Sequence, residues 1–172
     1  MTNYREEEEE EFEPDEFEDD DEDDEEEEEE DDGDGDLEAL IEEAEALVGE
    51  GEYLKAIKLW KRSLDRFSDE PAAYYHLAHA IHEFILAEQS TMDGDWTQDT
   101  KLMGLSEDAI SALGEATVMD PEHHDSFALV GHLHALRGEK ESAIENFERS
   151  LALNPGQKKI KKALDALKED DE

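Results

Sequence analysis

The chain repeats itself at a fixed interval. Ala44 and Ala78 lie 34 residues apart, and so do Ala109 and Ala143. The steps from Ala78 to Gly131 and from Ala56 to Ala109 are both 53, the same interval enlarged by 19. Three copies of one unit are therefore present, the second interrupted by 19 extra residues. Ala44, Ala78 and Gly131 mark the small-residue slot of a first helix, and Ala56, Ala109 and Ala143 that of the helix after it. A constant period of this size marks a solenoid, in which one unit cannot bury its apolar face alone and stacks on its neighbours. Surfaces of that kind favour holding other chains over performing chemistry.

Charge divides the chain near residue 36. Residues 1–36 carry 26 Asp and Glu against one base, Arg5, a net of −25 out of −40 for all 172 residues. With almost no apolar content and strong self-repulsion, this segment is expected to be a disordered acidic tail. The rest of the chain, at −15, has enough apolar residues for one domain. There is no cysteine, hence no disulfide framework and no thiolate chemistry. The N-terminus lacks a basic start followed by an apolar run, and no stretch approaches the length of a membrane span. These features predict a cytoplasmic protein, or a nuclear one in a eukaryote. So acidic a chain is repelled by nucleic-acid phosphates and anionic lipids, so neither nucleic acid nor membrane is an expected direct partner.

Periodicity and punctuation place the helices. Asp36 is a plausible N-cap, and Leu37, Leu40, Ile41, Ala44 and Leu47 follow at helical spacing. Gly49 and Gly51 end that helix, and a second runs from about Glu52 to Phe67. Pro71 opens a third, which reads as far as Glu88. Residues 89–105 read as an inserted loop, with Trp96 and Met103 docked on the solenoid or offered to a partner. Ser106, followed by Glu107 and Asp108, reads as the cap of a fourth helix ending near Pro121. Helices over about 124–137 and 139–153 follow, and Gln157–Lys168 closes the stack with Ile160, Ala163, Leu164 and Leu167 in one stripe. Lys158, Lys159, Lys161, Lys162 and Lys168 cover its other side.

The copies resemble the tetratricopeptide repeat, whose pattern is W-x2-L-G-x2-Y, then A-x3-F, then P. The third reads Phe127-x2-Val130-Gly131-x2-His134, Ala143-x3-Phe147, Pro155. The second reads Tyr74-x2-Leu77-Ala78-x2-Ile81, Ala109-x3-Leu113, Pro121. The first departs most: Leu40-x2-Glu43-Ala44-x2-Leu47, Ala56-x3-Trp60, with Ser68 where the family has proline. The resemblance implies an all-α, right-handed solenoid of three helix–turn–helix repeats over residues 37–70, 71–121 and 122–155. A capping helix over 157–168 follows, and the acidic tail precedes. Trp60 and Phe147 are then core residues beside the small slots.

The resemblance also implies that the first helix of each copy lines a concave, partner-binding groove. Its residues would be Ile41, Glu42 and Glu45, then Tyr75, His76, His79 and His82, then Ala128, Leu129, Ala135 and His132. Glu, Tyr and His there suit a basic or aromatic ligand better than an acidic peptide. His79, His82 and His132 fall on one predicted face and are the candidates for a transition-metal site. No cysteine or close carboxylate completes a tetrahedral set, so neither a metal nor any other cofactor is expected. A groove that responds to pH is the stronger reading of these histidines.

In the tail, Tyr4, Phe12 and Phe17 sit among carboxylates and are candidate anchors for a basic protein held by charge. No nucleophile–base pair, phosphate-cradling glycine loop or His-Glu-x-x-His pattern is present, which argues against an enzyme. The expected function is a non-catalytic adaptor binding a partner peptide or protein. The competing reading is an acidic chaperone or sequestering protein for basic clients, similar in composition to histone or secretion chaperones.

Overall fold

A computed structural model of the protein describes residues 36–169. Its elements, in order, are α1 (Leu37–Gly49), α2 (Tyr53–Ser63), α3 (Pro71–Thr91), a short 3-10 turn (Trp96–Gln98), α4 (Thr100–Met119), α5 (His124–Leu136), α6 (Lys140–Leu153) and α7 (Lys158–Glu169). Among the described residues there is no strand and no helix long and apolar enough to cross a membrane. The anchors Tyr4, Phe12 and Phe17 lie outside the described residues.

Local chemistry fixes the helix ends. The Asp36 carboxylate accepts the Ala39 N–H at 2.9 Å, satisfying one of the orphan donors at the start of α1. Pro71 sits in the first turn of α3, where its missing N–H costs nothing. α1 ends in a pair of reversed bonds: Glu52 N–H to Leu47 C=O at 2.8 Å and Gly51 N–H to Val48 C=O at 3.1 Å. The same pair recurs after α5, Glu139 to His134 at 2.9 Å and Gly138 to Ala135 at 3.1 Å. Both turns need a left-handed residue, and glycine supplies it, with φ +83° at Gly51 and +74° at Gly138. These glycines lie 87 residues apart, two periods plus the 19 extra residues.

The second copy breaks this rule, and the break is the insertion. One period after Gly51 stands Ile85, fully buried and helical. The chain therefore does not turn there, and α3 runs on to Thr91. The extra residues are mostly helix. α3 and α4 have 21 and 20 residues, against 13, 11, 13 and 14 in α1, α2, α5 and α6. Ser106 is not a cap: α4 begins at Thr100, and the Asp99 carboxylate accepts the N–H groups of Lys101 and Leu102 at 2.9 and 3.0 Å. Ser106 is buried inside the helix, donating back to the Met103 C=O and receiving a bond from Arg137 Nη1 at 3.2 Å. Trp96 is buried and closes the tip of the long hairpin.

Packing follows the repeat. Consecutive helices pair, and α1 also meets α3 as α3 meets α5, so the first helices of the three copies form one continuous layer. One core cluster runs through α1 to α5 and holds Ala44, Trp60, Ala78, Leu113 and Leu133. A second joins α5, α6 and α7 through Ala128, Ala143, Phe147, Ile160 and Leu164. Small slot and large partner keep their distance. Ala44 and Trp60, like Gly131 and Phe147, are 16 residues apart, and Ala78 and Leu113 are 16 plus the inserted 19. A methyl group at Gly131 would lie only 2.5 Å from Phe147 Cδ1. In the third copy the small slot must therefore be glycine. Gln157 Nε2 donates to Ser150 Oγ at 2.8 Å and fastens the closing helix to α6.

Candidate partner-binding face

α1, α3 and α5 share a property that sets them apart from the outer helices. None of the three contains a Lys or Arg. The bases of the described region lie on α2, α4, α6 and α7, in the stretch just after α2, and at the C-cap of α5. The inner helices instead carry Glu38, Glu42, Glu43, Glu45, Glu83, Glu88 and Asp125. The bases are thus kept off the inner layer, while acids occur in both layers.

The centre of the layer is built from rings. Tyr75 is half-buried on α3, with His76 edge-on at 5.2 Å, His79 stacked at 6.1 Å and His123 edge-on at 5.1 Å between centroids. His76 in turn lies flat on Trp60, at 5.6 Å and 15°. His123 reaches this position because it caps α5, its Nδ1 accepting the Ser126 N–H at 3.2 Å. Glu45 Oε1 approaches His76 Nδ1 at 3.9 Å from α1. Burial, then the negative charges of Asp125 and Glu45, push the Tyr75 phenol above its ordinary range, so it stays a neutral hydroxyl. Burial holds His76 below the ordinary imidazole value, against the pull of Glu45 and with help from His79 and His123.

A second ring group lies further along. His82 and His132 are 6.0 Å apart, and His132 stands edge-on to Phe147 at 5.0 Å. Both titrate below the ordinary value, chiefly through burial. Glu83, 3.0 Å from His82 Nδ1, opposes the shift at His82, and His82 adds to it at His132. Among the described residues no three His, Cys, Asp or Glu side chains are placed to hold a metal. The trio His79, His82 and His132 therefore does not converge as a metal site: His79 belongs with Tyr75, whereas His82 faces His132.

The other expected groove residues divide by exposure. Glu42 and Glu45 are exposed on α1, and Ile41 is partly buried against the first core. Ala128 and Leu129 are buried, at 7% and 6%, in the second and the first core respectively, and so do not offer an open groove surface. Ala135 is partly buried against the second core. α5 is covered on several sides, so its periodicity does not reveal one open face. The motif reading did not name His123, which stands edge-on to Tyr75, or Asp125, whose charge acts on the Tyr75 phenol. Asp125 lies three residues before Ala128 and seven before His132, a helical spacing that marks a shared face.

The tetratricopeptide repeat model matches residues 41–83 and 103–158, more than half of the chain. No curated protein matches the sequence. Among solved structures, the thermophilic tetratricopeptide repeat protein TTC0263 of Thermus thermophilus is 25% identical with a TM-score of 0.65, over 77% of this chain and 63% of that one. The second such domain of human RPAP3, in complex with the HSP70 peptide SGPTIEEVD, is 20% identical with a TM-score of 0.60, over 75% and 92%. The Yersinia enterocolitica type III secretion chaperone SycD, in complex with a peptide of the translocator YopD, is 17% identical with a TM-score of 0.62, over 79% and 95%. With its period, its small-residue slots and its paired helices all in register, this chain belongs to the tetratricopeptide repeat family.

Proposed function

We propose that this protein is a non-catalytic adaptor that holds a segment of a partner protein along the layer formed by α1, α3 and α5. Similar folds in RPAP3 and SycD hold peptides of other proteins. The observation that carries the reading here is the exclusion of every Lys and Arg from those three helices. The RPAP3 domain was solved with a peptide ending in acidic residues. Glu42, Glu45, Glu83 and Asp125 would repel such a peptide, so the fitting segment is basic. Ring faces at Tyr75, His79 and His132 supply rigid apolar contact at low entropic cost.

The test is selection of short peptides from an unbiased display library on the full chain, with the binding surface mapped by amide NMR shifts. Binders rich in Arg and Lys that shift α1, α3 and α5 are expected. Binders that shift only the outer helices would refute the reading.

The charge of −25 in residues 1–36 favours a second, compatible role as a chaperone or sequestering protein for basic clients. Counterion release and long-range attraction would then dominate binding, making it steeply salt-dependent. The seven described helices and both cores are built from residues 36–169, so removal of residues 1–34 takes away none of the residues that form them. Polylysine binding should weaken on that removal while the helical signal persists. Equal affinity with and without the segment rules this role out.

A further inference from the structure

Resting on the groove reading above, we propose that Tyr75, Glu45 and Asp125 form a seat for one cationic side chain, an arginine or lysine of the partner segment. Three successive inner helices contribute: Glu45 from α1, Tyr75 from α3 and Asp125 from α5. The Tyr75 ring is only half-buried, and a ring face of this kind attracts a cation through its quadrupole. His76, His79 and His123 surround it within 6.1 Å and fix its position. The two carboxylates are open to solvent, at 62% and 54% side-chain exposure. Their ionic neighbours among the described residues are histidines alone, His76 for Glu45 and His124 for Asp125. The site therefore has negative charge, a π face and a rigid wall, and among the described residues no Lys or Arg is paired with either carboxylate. A guest guanidinium or ammonium supplies that pairing.

The surrounding imidazoles set the conditions. The groups facing the seat are Glu45 from α1, Trp60 from α2, His76 and His79 from α3, and His123, His124 and Asp125 at the start of α5. While the imidazoles are neutral, the carboxylates dominate and a cation is welcome. Protonated imidazoles compete with the guest, so its affinity falls as the medium is acidified.

Ring-carbon NMR of the full chain tests the seat with three probes: N-acetylarginine methylamide, its lysine counterpart and its neutral citrulline counterpart. Ring signals of Tyr75, His79 and His123 should shift with the two cations and stay still with citrulline. A larger response to arginine than to lysine assigns the seat to a guanidinium, and equal responses assign it to either cation. Glu45→Gln together with Asp125→Asn should weaken the cation response by about fivefold or more. Tyr75→Leu, checked for an unchanged helical signal, should abolish the shifts at His79 and His123. Equal movement with citrulline, or retention of the shifts in the Leu variant, overturns the seat. Library binders that map to α1, α3 and α5 without Arg or Lys also overturn the seat but leave the groove standing. Binders that map elsewhere remove both.

Discussion

Gly131→Ala probes the repeat register at its tightest point. The added methyl carbon would sit 2.5 Å from Phe147 Cδ1, 2.6 Å from Cε1 and 3.1 Å from Cγ. Comfortable carbon contacts are about 3.5–4.0 Å, so two ring atoms fall short by about 1 Å or more. Phe147 has no room to retreat: it is fully buried and has the His132 ring edge-on at 5.0 Å. Either α5 and α6 separate or the ring leaves its rotamer. Overpacking of this severity costs about 3 kcal/mol, the top of the usual range. Alanine regains about 1 kcal/mol of helix propensity, leaving a net loss of about 2 kcal/mol. For a domain of this size that lowers Tm by roughly 6–10 °C.

Gly114→Ala is the internal control. It also lies within a helix, but a methyl there meets nothing within 4 Å. It should raise stability by about 0.5–1 kcal/mol through propensity alone. The assay is thermal and urea unfolding of both variants by circular dichroism. A third variant, Gly131→Ala with Phe147→Leu, should be more stable than the sum of its single changes, since the clashing ring is gone. If Gly131→Ala is as stable as the parent, or gains as much as Gly114→Ala, then the small slot is not set by Phe147 and the packing argument fails.

Arg137→Ala should lose about 1–2 kcal/mol in urea unfolding. Its largely buried guanidinium bonds Glu139 at 2.8 Å and Ser106 at 3.2 Å and approaches Glu107 at 3.6 Å, tying the α5–α6 turn to α4. Asp99→Ala should cost about 1 kcal/mol by removing the acceptor for two N–H groups of α4. Its helical signal should drop slightly at the α4 N-terminus, as read by amide exchange. The pH dependence has a definite sign. His76, His82 and His132 titrate below their ordinary value of 6.5, so the unfolded chain takes up protons first as pH falls. Their contribution is intact above that value and is lost as pH drops toward the depressed folded values. Tm should therefore decline as the pH falls below about 6.5. The decline should be shallower in a variant with all three changed to Gln, and an equal slope would contradict the assignment.

The order of helices was legible because the interval of 34 survives in the small residues, even where the large ones vary. The insertion was not. Residues 89–105 look loop-like because Ser, Thr, Asp and Gly crowd them, and Ser106 ahead of two acids imitates a cap. The stronger signal was the stripe Leu102, Ser106, Ala109, Leu113 and Ala116, a helical series running straight through that false start. A serine within a helix can bond back along its own backbone, as Ser106 does to Met103, and so need not end anything. The make-up of the inner layer was legible in part. Family spacing assigned Tyr75, His79 and Glu45 to the first helices, which is where they lie, but His123, beside Tyr75, enters as a cap from outside its helix, which no facial pattern encodes.

The lengthened second copy and the sorted bases belong to one design. Extending α3 and α4 together keeps their pairing intact, because each added turn of one helix buries the added turn of the other. Phe84, Ile85 and Leu102 are all buried, and Trp96 seals the end. The added length therefore demands no partner for its own stability. α3 is at once the longest helix, the middle member of the inner layer and the bearer of Tyr75, His76, His79 and His82. Of the three copies, the second is the one with a full copy on either side. Placing the rings on that unit, with acids on α1 and α5 to either side, would preorganise the face that the proposed function assigns to a partner segment. Under the proposed function, charge on the flanking helices would govern which segment is admitted, and the central rings how tightly it is held. Charge reversal at Glu42 and Glu45 should accordingly slow association, whereas loss of the Tyr75 ring should speed dissociation. Stopped-flow measurement on a single selected peptide separates the two, and a ring loss that acted only on the association rate would contradict this division.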